Sequence, residues 1–221
     1  MRKPSPSELT PPLAQPGESV FPIILAADSG SDLGFPKALA QFGRKTALEI
    51  AFENCARIEQ PVLVASPRLG RALRNGDQAA SAAVPGVRVV IHRRGRRGQL
   101  GSLLAGLAMV PDDGAFMLYA VDYPLLTAAV VRRLLEGFRA RLPCHSIAVP
   151  RFRGCAGHPV IFAPELRGEL ERAASARAVI YRDARRVKFV TVRQSSIGED
   201  FDTAAAYRRV LGKYLRRFGP R

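Results

Sequence analysis

The sequence predicts an α/β fold on a mostly parallel sheet, and two observations carry that prediction. Short apolar runs alternate with segments of helical periodicity through the first two-thirds of the chain, the pattern of strand–helix–strand crossovers. In the C-terminal third a turn at 154–157 joins two short apolar runs, which predicts a small antiparallel excursion. At 221 residues the chain has material for one sizeable core.

The first strand is read at 20–26 (VFPIILA), an apolar run ending in small residues. After a polar loop, residues 45–58 place Leu48, Ile50, Ala51, Phe52 and Cys55 at the spacing of an amphipathic helix. Residues 61–65 (PVLVA) and 87–91 (VRVVI) read as the second and third strands. A helix over 99–110 puts Leu103, Leu104, Leu107 and Val110 on its apolar side. Residues 115–121 (AFMLYAV) are apolar nearly throughout, as a central strand buried on both faces must be. Pro124 then turns the chain, and Thr127 is placed to cap a helix over 128–141. Strands at 146–150 and 158–163, helical segments at 164–173 and 176–181, and a strand at 187–192 (VKFVTV) follow. Thr203 caps a final basic helix reaching about residue 218. Residues 1–19, rich in Pro, Ser and Glu and lacking the apolar stretch of a secretory signal, read as a disordered lead-in to one domain over 20–218.

Composition narrows the classes. No apolar run approaches the roughly 20 residues that span a bilayer, so no membrane role is expected. Three cysteines at no metal-like spacing argue against a disulfide framework and fit a reducing cytoplasm; they read as buried structural thiols. The net charge of +15 is mostly arginine and favours polyanionic partners: phosphorylated small molecules, nucleic acid or an acidic protein. No aromatic-interleaved or helix-turn-helix pattern accompanies it, which counts against nucleic acid.

In sheets of this kind ligands bind beyond the carboxyl ends of the strands. Three loops fall there: the one ending at Lys37, the one beginning at Asp122, and the stretch around Asp200. The first contains small residues that let backbone N–H groups approach an anion, and Lys37 adds a mobile cation able to reach phosphate oxygens. Asp122 leaves the central apolar strand, where an unpaired carboxylate is costly and a hard oxygen ligand for Mg²⁺ is well placed; a capping Asp is the plainer alternative. Asp200 and Asp202, on alternate positions, either complete a metal site or favour the N-terminus of the last helix.

The run Leu25-Ala26-Ala27, with Gly34, Pro36 and Lys37 after it, resembles the signature of the MobA-like NTP-transferase domain of molybdenum-cofactor nucleotidyltransferases. The resemblance continues through Gly98-Gln99-Leu100-Gly101-Ser102-Leu103, Val121-Asp122-Tyr123-Pro124-Leu125 and Gly157-His158-Pro159-Val160, and ends at Asp200-Phe201-Asp202-Thr203. The two alanines and the Gly-His-Pro-Val element look more like the cytidylyltransferase branch than the guanylyltransferase branch. The resemblance implies a Rossmann-like three-layer sandwich that binds an NTP, CTP favoured, with Mg²⁺. It implies transfer of a nucleoside monophosphate to a phosphorylated small molecule such as molybdopterin, with release of pyrophosphate. Lys37 and Asp122 would be catalytic. Leu25, Ala26, Ala27, Asp28, Gly34, Lys37, Gly101 and Ser102 would bind the nucleotide. Asp122 with Asp202 or Asp200 would hold the metal, and His158 would approach the acceptor.

The chain departs from that pattern where phosphates are held. Asp28 stands at the family's glycine and Asp32 at its arginine, His92 stands where the family often has asparagine, and Ala204-Ala205-Ala206 replaces Pro-Glu-Asp. A unit-charge pair at 4 Å is worth about 4 kcal/mol at an effective dielectric of 20, so inverting the charge at position 32 costs several kcal/mol unless compensated. Mg²⁺ bridging Asp28 or Asp32 to phosphate, or an arginine from 93–97, would compensate. The sequence therefore supports an active nucleotidyltransferase, a binding or regulatory homologue with a protein partner, and, third, a basic nucleic-acid-interacting protein.

Overall fold

The computed structural model describes residues 18–27, 33–74, 87–93 and 97–219. Asp28, Asp32, residues 94–96 and nearly all of the expected disordered lead-in lie outside the described residues.

Strand β1 (Val20–Ala26) is followed by a 3-10 turn (Lys37–Leu39) and a short hairpin, β2 (Gln41–Phe42) and β3 (Lys45–Thr46). Helix α1 (Ala47–Cys55), β4 (Val62–Ala65), α2 (Pro67–Arg74), β5 (Arg88–Ile91), α3 (Gly98–Leu107) and β6 (Ala115–Ala120) follow. Then come α4 (Ala128–Arg139), β7 (Ile147–Phe152), β8 (Cys155–Ala156), β9 (Val160–Phe162), α5 (Arg167–Arg172), α6 (Ala176–Arg182), β10 (Val187–Thr191) and α7 (Ala204–Phe218). Among the described residues the main sheet runs β10-β7-β9-β6-β1-β4-β5, with β8 paired to β7. Strands β5, β4, β1 and β6 are mutually parallel, and β9 is antiparallel to both β6 and β7. The antiparallel excursion thus sits inside the sheet, between two strands that share the direction of β1.

Both faces of the sheet are covered, as the apolar strands demand. Ile24 and Ala26 of β1, Leu63 and Ala65 of β4, and Met117 and Tyr119 of β6 pack with α1, α4 and α7. The alternate residues, including Ile23, Leu25, Val62, Val64, Phe116 and Leu118, pack with α3, α5 and α6. Helix α3 lies so close to the sheet that a Cβ at Gly106 would be 2.8 Å from Val64 Cγ2. No helix among the described residues is long and apolar enough to cross a membrane.

Several expectations are corrected. Helix α1 starts at Ala47, because Thr46 caps it: its Oγ1 accepts from Glu49 N at 3.2 Å while Glu49 Oε2 accepts from Thr46 N at 2.6 Å. Thr127 does not cap α4 through its side chain; its Oγ1 donates to Gln194 Oε1 at 3.2 Å and ties the helix start to the segment after β10. Helix α2 is unforeseen, because its sequence PRLGRALR buries only Leu69 and Gly70. The local signal was Ser66-Pro67: Ser66 Oγ accepts from Leu69 N at 3.2 Å, and proline suits a first helical position. Of the cysteines only Cys55 is buried; Cys144 and Cys155 are exposed.

Arg167 closes the end of α3. Its guanidinium donates to the carbonyls of Leu107 at 3.3 Å, Val110 at 3.2 Å and Pro111. Burial holds its pKa below the usual value, with Asp112 opposing. Arg167→Leu takes that donor from Val110 O, while Leu107 O and Pro111 O keep Val110 N and Gly114 N at 3.0 Å, and is expected to cost about 1–2 kcal/mol, read as a lower urea midpoint at unchanged m-value.

Candidate functional site

The carboxyl ends of β1 and β6 are adjacent, with Val121 N donating to Leu25 O at 3.2 Å. This brings the loop after β1 beside Asp122. Asn54 of α1 steadies the second loop, its Nδ2 donating to Tyr119 Oη at 2.9 Å and to Leu126 O at 3.0 Å.

The third component arrives through an aromatic cluster. Phe201 is wholly buried and meets Phe42 with ring centroids 5.2 Å apart; Tyr207 and Tyr214 complete the cluster at 5.4 and 5.5 Å from Phe42. With Phe201 turned into the core, its neighbours Asp200 and Asp202 face the cleft. Phe42 lies five residues after Lys37, so the same cluster fixes the turn that carries the lysine, where Ala40 N bonds Lys37 O at 3.0 Å.

The result is one lysine among three carboxylates. Lys37 Nζ donates to Asp202 Oδ1 and lies 3.8 Å from Asp122 Oδ2. Oxygen atoms of Asp122, Asp200 and Asp202 lie within 4.8 Å of one another. Asp122 Oδ1 is buried and has no hydrogen-bond partner among the described residues. Desolvation pushes the Asp122 carboxyl up to about 6, Lys37 opposes that rise, and the neighbouring Asp202 and Asp200 add to it. Hard oxygen donors with a buried lone pair left unmatched suit a divalent cation.

The group opens into a cleft of about 600 Å³. Leu25, Ala27, Gln99 and Ser102 form one wall. His158 faces them from the strand β9 side, its ring 4.8 Å from that of Tyr123. Burial lowers the His158 pKa to about 4, so the imidazole is neutral at physiological pH and can exchange a hydrogen bond but carries no charge.

Thus Lys37, Asp122, Asp200, Asp202, Leu25, Ala27, Ser102 and His158 come together at one cleft. Ala26, Gly34 and Gly101 do not line it. Ala26 points into the core, Gly34 turns away and accepts at its carbonyl from Arg68 Nη2 at 2.6 Å, and Gly101 faces His92. Lys37 is a buried cation, already engaged by carboxylates. Asp122 caps no helix. Sequence reasoning missed Asn54 and the wall supplied by Ile180 and Tyr181 of α6, which carry no motif and come here through the topology, and it gave Gln99 no role although that residue stands in the motif with Ser102.

Comparison with known proteins agrees with this geometry. The chain is similar to the Rv0371c protein of Mycobacterium tuberculosis H37Rv, at 27% identity and TM-score 0.72 over 90% of this chain and 100% of that one. The crystal structure of Rv0371c in complex with manganese matches at 26% identity and TM-score 0.68, over 88% of this chain and 98% of that one. The molybdopterin-guanine dinucleotide biosynthesis protein A of Archaeoglobus fulgidus shares the fold at 16% identity and TM-score 0.62, over 89% and 99%. Curated proteins gave no match. Residues 22–189, well over half the chain, match the MobA-like NTP transferase domain. With the sheet order, the aspartate cluster and that match in agreement, the chain belongs to the MobA-like NTP transferase family.

Proposed function

We propose that this protein is a nucleotidyltransferase that uses Mg²⁺ or Mn²⁺ to move a nucleoside monophosphate, CMP favoured, from an NTP to a phosphorylated small molecule of the molybdopterin kind, releasing pyrophosphate. The observation that carries the reading is the meeting of Lys37 with Asp122, Asp200 and Asp202 at the carboxyl edge of the sheet. The preference for CTP rests on Ala26-Ala27 and Gly157-His158-Pro159-Val160, which look like the cytidylyltransferase branch.

Attack by an acceptor phosphate on the α-phosphorus asks for positioning and charge neutralisation more than for covalent chemistry. Asp122, with Asp202 or Asp200, would hold the divalent ion, whose charge offsets that developing on the leaving pyrophosphate. Lys37 would steady the phosphates. Leu25, Ala27 and Ser102 would seat the nucleoside, and neutral His158 with Tyr123 would face the acceptor.

A thermal-shift screen over the four NTPs with Mg²⁺ and with Mn²⁺, followed by pyrophosphate release in the presence of molybdopterin, tests this. CTP is expected to give the largest shift and to be turned over. Absence of both binding and turnover with every NTP would remove the proposal.

One observation favours a second reading, a binding or regulatory homologue: the acidic residues Asp28 and Asp32 at positions where the family carries glycine and arginine. The double change Asp28→Gly, Asp32→Arg separates the two. Stronger CTP binding in the double variant, by about tenfold or more for the charge reversal, marks the natural loop as impaired; weaker binding marks it as a working adaptation.

A further inference from the structure

Among the described residues, three carboxylates and one ammonium meet on the floor of the cleft, and that group carries a net charge of −2 (three negative charges against one positive). The ammonium stands on Asp202 Oδ1 and beside Asp122 Oδ2, while Asp122 Oδ1 is buried and unmatched by any described residue. Lys37 therefore already engages two of the three carboxylates that would hold a cation, each through one of its oxygens.

We infer that Lys37 is an internal counter-ion which competes with a divalent cation for Asp202 and Asp122; this rests on reading the cleft as a metal and nucleotide site. Divalent cations draw oxygen ligands to about 2.0–2.6 Å. Two cations on one carboxylate repel even through different oxygens, so either the ammonium withdraws from Asp202 or the metal binds there more weakly. Leaving the carboxylates without another anion to meet is costly for a buried lysine. A triphosphate in the cleft supplies that anion, and the lysine's flexible four-carbon stem allows the exchange. Metal and nucleotide affinities are then linked, and the linkage is reciprocal. The lysine keeps the empty site neutralised in part and disfavours metal that arrives without nucleotide.

The test is Mn²⁺ affinity, measured by electron paramagnetic resonance without nucleotide, in wild type and in Lys37→Met at one ionic strength. Removing the competitor is expected to strengthen Mn²⁺ binding by about tenfold. Lys37→Gln, which keeps a donor for Asp202 but no charge, is measured alongside and decides the matter if the methionine variant does not fold. Unchanged or weaker Mn²⁺ binding in the folded variant overturns the inference and makes Lys37 a structural partner of the aspartates. CTP is then added to both proteins, and the strengthening it causes is compared between them so that chelation in solution cancels. It is expected to be smaller in the variant by the factor already gained. If the variant binds Mn²⁺ more tightly and CTP strengthens neither protein, the counter-ion role stands and the nucleotide reading fails.

Discussion

Asp122→Asn is expected to lower metal-dependent pyrophosphate release by at least about 10²–10³-fold and, at the same time, to stabilise the metal-free protein at pH 8. The first effect follows from removing the carboxylate that the proposed reaction needs for its divalent ion. The second follows from desolvation. The Asp122 carboxyl is raised from 3.8 to about 6 in the folded protein, so the folded state binds a proton more readily than the unfolded chain does. The sign is the reverse of a salt-bridged aspartate. No penalty exists below the unfolded value near 4; it grows between about pH 4 and 6 and is complete above the folded value. At roughly 1.4 kcal/mol per pKa unit, the ionised carboxylate costs the metal-free fold about 2–3 kcal/mol, even with Lys37 beside it. An asparagine of the same shape escapes that cost, which corresponds to about 5–10 °C of melting temperature for a domain of this size. The measurement is thermal melting of both proteins with EDTA at pH 8 and at pH 4.5, then with Mn²⁺ at pH 8. The asparagine protein melts higher at pH 8, the gap narrows at pH 4.5, and Mn²⁺ raises only the wild type. A lower melting temperature for the variant at pH 8 without metal would mean that the charge of Asp122 is well matched in the fold, although no described residue bonds its Oδ1.

That trade of stability for a charged site also explains which features could be read from the chain. The buried strands were legible because β1, β4 and β6 are covered on both faces and so are apolar at every position, a pattern that survives without any knowledge of partners. Asp122 was legible for the opposite reason: a carboxylate directly after such a strand contradicts its surroundings, and contradictions of this kind mark function. Helix α2 was not legible because three arginines in eight residues leave too narrow an apolar face. Gly101 was expected at the nucleotide because it sits in a motif with Ser102, yet consecutive helical residues point about 100° apart, and only Ser102 reaches the cleft. The state of Lys37 was beyond any local reading. It depends on Phe42 and Phe201, separated by most of the chain, finding one another so that the lysine turn and the Asp200-Phe201-Asp202 segment are brought together. Charge separation along the sequence concealed an ion pair that hydrophobic packing creates.

The aspartate pair has a second support, and Gly157→Ala is expected to break it. The turn between β8 and β9 lies against the 3-10 turn Ser195–Gly198, with His158 N donating to Ile197 O at 2.8 Å. A Cβ at position 157 would overlap Ile197 O, stand 2.6 Å from its carbonyl carbon and 2.8 Å from its Cβ. The obstacle is backbone, so no rotamer change relieves it; the two turns must move apart and give up the His158 hydrogen bond. Overpacking of this kind costs about 1–3 kcal/mol, and a lost buried hydrogen bond adds to it. The displacement does not stay local, because Ile197 is buried and only three residues separate it from Phe201, whose ring sets the direction of Asp200 and Asp202. The alanine protein should therefore unfold at lower urea and bind Mn²⁺ more weakly, by about tenfold if misplacing one carboxylate removes roughly 1.4 kcal/mol. Gly198→Ala is the control: it lies in the same turn, and an added Cβ there meets nothing within 4 Å. If Gly157→Ala matched the control in both stability and Mn²⁺ affinity, the two turns would not bear on each other, and the aromatic cluster alone would align the carboxylates.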